Sequence, residues 1–270
     1  MKQLRLPIIG FILLFMVSSG LCAFTGEVEA EDYLFSLVNE VRQEYGSPVL
    51  ASDPLLVQAA RGHSWEMISL DYFSHYSPLP ERETPLLRVA EEGLSEVWVG
   101  ENIGSEYTSA AYNWRTLTDG LFEGLMNSPP HRENILDPDF NYAGMGIVYS
   151  EHDGMNGLHL TQVFMTRRIR LDGLTAELQT GEYSVELWGR QLAPGYLKLI
   201  VQGKETEYLS IETDEGGFFH TTVRLPVSSG SREFRLGMGE EQYGSIEVFN
   251  IFRVNTSLSE EQVLCYGSGN

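Results

Sequence analysis

Three short phrases stand in a fixed order in the first half of the chain: residues 73–78 (FSHYSP), 100–103 (GENI) and 128–136 (SPPHRENIL). Each phrase supplies one side chain that can exchange a proton or bind a metal ion, namely His75, Glu101 and His131. Imidazoles and a carboxylate are ordinary Zn²⁺ ligands, and the same groups perform general acid and base catalysis. Two histidines with a glutamate between them can therefore form a metal site or an acid/base site, if the fold brings them together.

Helices are predicted around these phrases. Apolar residues recur every three or four positions over residues 29–45, and Gly46 ends that helix as a C-terminal cap. Three further helices are expected from their capping residues, which are Asp53, Thr84 and Thr108. Two prolines at 129–130 end the last of these, because proline cannot donate to the helical ladder, and a short helix is expected to begin at His131.

Two paired strands are predicted after the last phrase. Residues 144–149 and 158–164 are apolar and β-prone, and the segment between them is rich in turn residues, which favours an antiparallel hairpin. Glu101 is expected in a loop, since it lies between Gly100 and Asn102.

The order and wording of the phrases resemble the CAP superfamily, the cysteine-rich secretory and pathogenesis-related group, in its prokaryotic SCP-like form. The resemblance covers residues 30–166. It implies an α-β-α sandwich whose cavity is lined by His75, Glu101 and His131. Many eukaryotic members have a second cavity carboxylate, but here Glu123, the nearest one on the preceding helix, is out of step.

The N-terminus has the pattern of a secretory signal peptide. A short basic start precedes an apolar run, and cleavage is expected after Ala23, giving a signal over residues 1–23. An uncleaved membrane anchor is one alternative. A lipoprotein modified at Cys22 is another, although Leu21 occupies a position where such signals carry a small residue. The protein is thus expected to be secreted or held at the cell surface.

The composition excludes some partners. The chain carries 38 acidic and 18 basic residues, a net charge of −20, so a nucleic-acid partner is disfavoured because phosphate binding needs clustered Lys and Arg. Of the two cysteines, Cys22 lies in the predicted signal, which leaves Cys265 as the only thiol of the exported chain. Stability must then come from packed cores and not from a disulfide bond.

A second domain is predicted over residues 172–256. Helical periodicity stops after Met165, and short β-prone runs follow, separated by Gly, Pro and Asp turns, which is typical of a β-sandwich. One turn and strand resemble immunoglobulin-like modules of bacteria. Residues 167–170 hold three arginines and are the candidate linker, and the tail 257–270 is expected to be poorly ordered.

Each candidate residue also has a structural interpretation. His75 could bond a backbone carbonyl, Glu101 could fix a turn, and His131 could pack a helix end on the sheet. His63 lies on the inner face of the second helix and is more simply a core histidine. His159 alternates with leucines in a strand, and His131 matches the order of the cavity histidine better.

The cluster leaves two functions open. The first is a binding or scaffolding module whose cleft receives a lipid, peptide or glycan. The second is a metal-assisted hydrolase in which His75 and His131, with Glu101, hold Zn²⁺ and its water. The missing second carboxylate favours binding, and the chain carries no Gly-x-Ser-x-Gly or His-Glu-x-x-His signature. A purely structural surface protein would leave the cleft inert.

Overall fold

The computed structural model describes residues 25–179, 181–202, 206–226, 231–242, 244–255 and 263–265. The predicted signal peptide, including Cys22, lies outside the described residues. The first half of the chain contains α1 (Thr25–Glu44), α2 (Pro54–Ser69), a 3₁₀ turn (Pro80–Arg82), α3 (Pro85–Glu91), α4 (Trp114–Asn127) and α5 (Pro129–Leu136).

The caps account for most of these helix ends. The Asp53 carboxylate accepts hydrogen bonds from the first turn of α2, and the Thr84 hydroxyl accepts one from the first turn of α3, as predicted. The expected cap at Thr108 is wrong, because Thr108 ends a strand and Asn113 caps α4. Helix α5 begins at Pro129, two residues before His131.

Four strands form the sheet of this first domain: β1 (Ala51–Ser52), β2 (Val99–Thr108), β3 (Tyr142–His152) and β4 (Met155–Met165). Their order is β1-β3-β4-β2, with β1 parallel to β3 and the other pairs antiparallel. Asp153 and Gly154 join β3 to β4 with positive φ angles of 51° and 74°, as a tight hairpin turn requires.

Two layers of helices enclose this sheet. One apolar cluster joins α1 and α4 to the sheet, around Leu34, Leu121 and Phe164. A second cluster joins α2 and α3 to the opposite face, around Ala60, Val89 and Val163. The predicted α-β-α sandwich is therefore confirmed.

Glu101 was expected to lie in a loop, but that expectation is wrong because Glu101 belongs to strand β2. All ten residues from Val99 to Thr108 pair with β4, and Glu101 lies opposite Val163. Glycine suits this strand because a side chain at Gly100 would place its Cβ 2.7 Å from the Phe140 ring. Gly100, which suggested a loop, instead allows the Phe140 ring to pack closely against the strand.

The open edge of β3 is covered by α1. Strand β1 pairs with only two residues of β3. Farther along, the carboxylates of Glu31 and Glu27 accept hydrogen bonds from the backbone amides of Ile147 and Tyr149, at 3.0 and 2.7 Å. These side chains satisfy donors that would otherwise be available to another strand.

The second domain consists of β5 (Ile169–Gln179), β6 (Glu182–Gln191), β7 (Tyr196–Gln202), β8 (Glu207–Ser210), β9 (Phe218–Pro226), β10 (Ser231–Gly239), β11 (Glu247–Asn255) and β12 (Val263–Cys265). They form a five-stranded sheet, β12-β11-β10-β7-β8, and a three-stranded sheet, β5-β6-β9, both antiparallel. Residues of both sheets share one apolar core, as a β-sandwich requires. Of the tail 257–270, the structure describes only residues 263–265, which form β12 and pair with β11.

The two domains meet over a bonded interface. Backbone hydrogen bonds connect Ser95 to Ile251 (2.9 Å) and Val97 to Phe249 (3.0 Å). Only three residues separate β4 from β5, and one of them, Arg167, is buried. Its guanidinium bonds Glu96 and, at 2.8 Å, Asp53. At Arg167 the candidate linker of residues 167–170 is thus packed between the two domains.

Candidate functional site

Glu101 is the centre of the candidate site. Its side chain, 2% exposed, extends from β2, and one carboxylate oxygen lies 2.8 Å from Nδ1 of His75. The other oxygen accepts a 2.6 Å hydrogen bond from the guanidinium of Arg88, which is 1% exposed on α3. A buried carboxylate needs such partners, because an unpaired charge is expensive to remove from water. Glu101 is therefore fixed and electrostatically compensated.

The position of His75 follows from this pairing. When Nδ1 carries the ring proton, it donates to Glu101 and leaves the lone pair on Nε2. No described residue forms a hydrogen bond at Nε2, and the side chain is 42% exposed. Arg88 also donates to the backbone carbonyl of His75, at 3.1 Å. One buried arginine thus holds both the carboxylate and the loop that carries the histidine.

Asparagine side chains attach α5 and its His131 to β2. Asn102 donates 3.0 Å hydrogen bonds to the His131 carbonyl and to the Gln162 side chain. Asn134 donates to the Glu101 carbonyl at 3.2 Å and to the Asn102 side chain at 2.9 Å. Burial, followed by repulsion from His75, lowers the pKa of His131, so its imidazole is neutral at neutral pH. His75, Glu101 and His131 are called the cleft cluster below, after the cavity that the family resemblance implies.

His63 lies directly behind the cleft cluster. It is fully buried on α2, and its Nε2 lies 3.1 Å from the Ser74 carbonyl and 3.8 Å from the Glu101 carboxylate. Burial, followed by repulsion from Arg88, lowers its pKa to about 4. The core interpretation of His63 is confirmed, and the structure adds that this neutral ring packs against the cleft carboxylate.

A second set of polar contacts secures the loop after α2. Tyr72 donates to Glu66, and Arg82 donates to Glu66 at 2.6 Å. Burial alone would raise the pKa of Glu66, but hydrogen bonds from Ser77, Tyr72 and Arg82 outweigh it and lower that pKa. The carboxylate therefore stays ionised and anchors the loop that ends in His75.

Two other sequence candidates lie outside the cleft cluster. Glu123 is exposed on α4 and forms no ion pair among the described residues, so it supplies no second cleft carboxylate. His159 lies on β4, where its Nε2 is hydrogen-bonded to Tyr107, away from Glu101. Sequence reasoning missed Arg88, because a lone arginine on a short helix gives no signal that it is buried.

The side chains present do not make up a zinc-enzyme site. Within the described ranges, no group of three or more His, Cys, Asp or Glu side chains is arranged to hold a metal ion. Catalytic zinc sites have three protein ligands, whereas both Glu101 oxygens are already bonded, to His75 and Arg88. Glu101 fits the role of a carboxylate that orients a histidine better than that of a ligand.

Comparison with known proteins gives the family. The first domain has the layered architecture and the His/Glu cluster already described, and residues 35–164 match the model of the cysteine-rich secretory protein family, CAP. Residues 35–164 therefore form a CAP domain.

Relatives from Bacillus subtilis strain 168 match the same region. The uncharacterized protein YkwD is 32% identical over 120 residues, 44% of this chain and 43% of the relative. The uncharacterized membrane protein YlbC is 32% identical over 124 residues, 45% of this chain and 32% of the relative. The chain thus spans less than half the length of these curated relatives.

Solved structures match about half of the chain. An extracellular protein with an SCP domain from Bacillus anthracis strain Ames is 30% identical, with a TM-score of 0.42 over 52% of this chain and 41% of that one. An outer surface protein from Borrelia burgdorferi is 19% identical, with a TM-score of 0.41 over 52% of this chain and 93% of that one. In the part of the chain that the structure describes, no helix is both long and apolar enough to cross a membrane.

Proposed function

We propose that this protein is a secreted or cell-surface CAP-domain module that binds a lipid, peptide or glycan at the cleft cluster. The proposal rests on the contacts of the Glu101 carboxylate. Its two oxygens are engaged by His75 and Arg88 at 2.8 and 2.6 Å, so the carboxylate is not free to accept a proton from water. Hydrolysis needs such a base, whereas binding needs only a fixed surface.

The groups that remain available suit recognition. His75 presents an unbonded Nε2, and His131 is half-buried and neutral. Tyr76, next to His75, is 65% exposed and offers an amphipathic ring. Imidazoles and a tyrosine can bond hydroxyl, amide or headgroup oxygens and pack on apolar surface. The signal-peptide pattern of residues 1–23 supports placement of this module outside the cytoplasm.

Calorimetric titration with three chemically defined probes tests the proposal. The probes are phosphatidylcholine vesicles, a mixed-sequence peptide pool and an N-acetylglucosamine tetramer, each added to the wild type and to the His75→Ala/His131→Ala variant. We expect at least one probe to bind the wild type and to lose affinity in the variant. Failure of all three, or equal binding by both proteins, would refute the cleft as a binding site for these classes.

A metal-assisted hydrolase remains the second candidate, on the observation that Glu101 orients His75 as carboxylates orient metal-bound histidines. Hydrolysis of labelled casein, measured with and without added Zn²⁺, tests it. Zinc-dependent cleavage that disappears in the His75→Ala/His131→Ala variant would favour the hydrolase over the binding module. No cleavage by the wild type would eliminate the protease form of this candidate.

A further inference from the structure

A cavity separate from the cleft cluster opens between the end of α2, strand β2 and the β3–β4 hairpin. Its volume is about 420 Å³, and none of the three cleft residues lines it. The residues that the argument uses are Asp71, Phe73, Tyr107, Glu151, His152 and His159. This volume falls in the range of small-molecule and side-chain pockets.

The wall of this cavity is aromatic. Phe73 and Tyr107 each contact the His159 ring edge-to-face, with ring centroids 6.1 and 5.7 Å apart. Gly157 leaves room for the Tyr107 ring, since a Cβ there would lie 2.3 Å from it. Phe73 is 52% exposed, so its ring is accessible to a ligand. Aromatic faces attract cations through their quadrupole.

The charge of the cavity has one sign. Asp71 and Glu151 line it and are exposed, while neither lysine nor arginine does. Neither carboxylate has an ion-pair partner among the described residues. His152 also lines the cavity, and its Nε2 lies 3.5 Å from the Asp153 carboxylate. An anion would be repelled here, and a cation would be attracted.

His159 adds an unsatisfied polar atom at the base of this wall. The residue is 9% exposed, its Nε2 is bonded to the Tyr107 hydroxyl, and its Nδ1 has no hydrogen-bond partner in the described part of the chain. Burial, followed by repulsion from His152, lowers the pKa of His159, so the ring is neutral at neutral pH. A buried polar atom without a hydrogen-bond partner is unfavourable.

We infer that this cavity binds a cationic organic group, an ammonium or guanidinium of the kind that a lysine or arginine side chain presents. Aromatic walls and two carboxylates without ion-pair partners among the described residues match that chemistry. A metal ion is a poorer match, because no described cluster of three or more His, Cys, Asp or Glu is arranged to hold one. The inference does not depend on the proposed function of the cleft cluster, which contributes no residue to this wall.

Calorimetry with a capped Gly-Arg-Gly peptide and its citrulline analogue tests the charge requirement, because citrulline replaces guanidinium with a neutral group of similar shape. We expect the arginine peptide to bind roughly tenfold more tightly. A free alkylammonium salt is the third probe. Tighter binding of the peptide identifies a peptide side chain as the ligand, and equal binding identifies a free amine. Absence of binding, or equal affinity for arginine and citrulline, overturns the inference.

Substitution of the two cavity carboxylates tests whether the arginine peptide binds in this cavity. Asp71→Asn/Glu151→Gln keeps the shapes, and asparagine tolerates the positive φ of 53° at position 71. We expect this variant to lose roughly fivefold or more in affinity for the arginine peptide. Glu212→Gln/Glu215→Gln, which removes the same two charges at exposed positions of the β-sandwich domain, is the matched control and should leave the affinity unchanged. If the control loses as much affinity for the arginine peptide as the cavity variant does, the effect comes from overall charge, and the inference is wrong.

Discussion

The buried guanidinium of Arg88 determines whether Glu101 can stay ionised. Replacement Arg88→Met removes the 2.6 Å hydrogen bond and leaves a carboxylate that is 2% exposed without its cation. We expect the free energy of unfolding, measured by urea denaturation, to fall by about 3–5 kcal/mol.

The double variant Arg88→Met/Glu101→Gln is the control, since it removes the buried charge together with its partner. It should recover part of the lost stability. A loss in the single variant of no more than about 1 kcal/mol, the value of an exposed pair, would contradict the account of Glu101.

His63 should make stability depend on pH. Its folded-state pKa of about 4 lies below the ordinary 6.5, so between these values the unfolded chain binds a proton that the folded protein does not. The contribution is fully present above pH 6.5 and is lost as the pH falls to 4, by at most about 3 kcal/mol.

Denaturation curves at pH 4, 5, 6 and 7 measure this dependence. The variant His63→Gln should show a shallower loss between pH 6.5 and 4, whatever its stability at pH 7. If the free energy of unfolding of the variant falls with pH as steeply as that of the wild type, His63 does not titrate as the structure indicates.

The role of a residue could be predicted from the sequence where its neighbours in the chain determine that role. Asp53 was predicted because a short acceptor before a helical proline can only act as a cap, and the structure confirms it. Arg88 and Gln162 were missed, since their burial depends on partners that are distant in sequence. The three cleft residues came from the family resemblance, and no local rule selects them.

Two glycines set the distance between α2 and the sheet. A Cβ at Gly146 would lie 2.1 Å from the backbone nitrogen of Arg61, and one at Gly144 would lie 2.2 Å from the carbonyl carbon of Leu56. Since backbone atoms cannot rotate away, α2 would have to move as a whole. We expect Gly146→Ala to lower the thermal midpoint of unfolding substantially.

Gly124→Ala is the matched control. Gly124 lies inside α4, and a Cβ there has nothing within 4 Å. Alanine should stabilise that helix by about 1 kcal/mol, raising the midpoint. Equal effects of the two alanines would mean that β3 and α2 are not in close contact.

Strand β2, which carries Glu101, is an element that the sequence did not predict, and two of its features explain why. Glycine disfavours strands in isolation, and buried Asn102 hides the alternation that marks a half-buried strand. Pairing of β2 with β4 outweighs both effects. By contrast, α2 and the β3–β4 hairpin were predictable, because their caps, turn residues and apolar spacing agree with the final structure.

At the scale of the molecule, the buried joint at Arg167 changes what proteolysis should show. Its guanidinium connects Glu96 to Asp53, and it lies 4.6 Å from the centre of the Tyr142 ring. We expect trypsin, under native conditions, to leave the bond after Arg167 intact, because a protease needs that segment unfolded.

The control is the same chain in urea, where cleavage after Arg167 should be rapid, with products identified by mass spectrometry. Rapid native cleavage within residues 167–170 that releases two folded fragments would contradict the packed joint at Arg167.

The central claim is that the cleft cluster is a binding surface and not a metal centre. Calorimetric titration of Zn²⁺ into the wild type and into the His75→Ala/His131→Ala variant tests it most directly, at pH 7.5, above the ordinary histidine pKa of about 6.5. The account predicts indistinguishable isotherms at micromolar protein, since Glu101 is bonded to His75 and Arg88 and only two imidazoles remain. A stoichiometric zinc site in the wild type that is absent from the variant would contradict the account and favour the metal-assisted hydrolase.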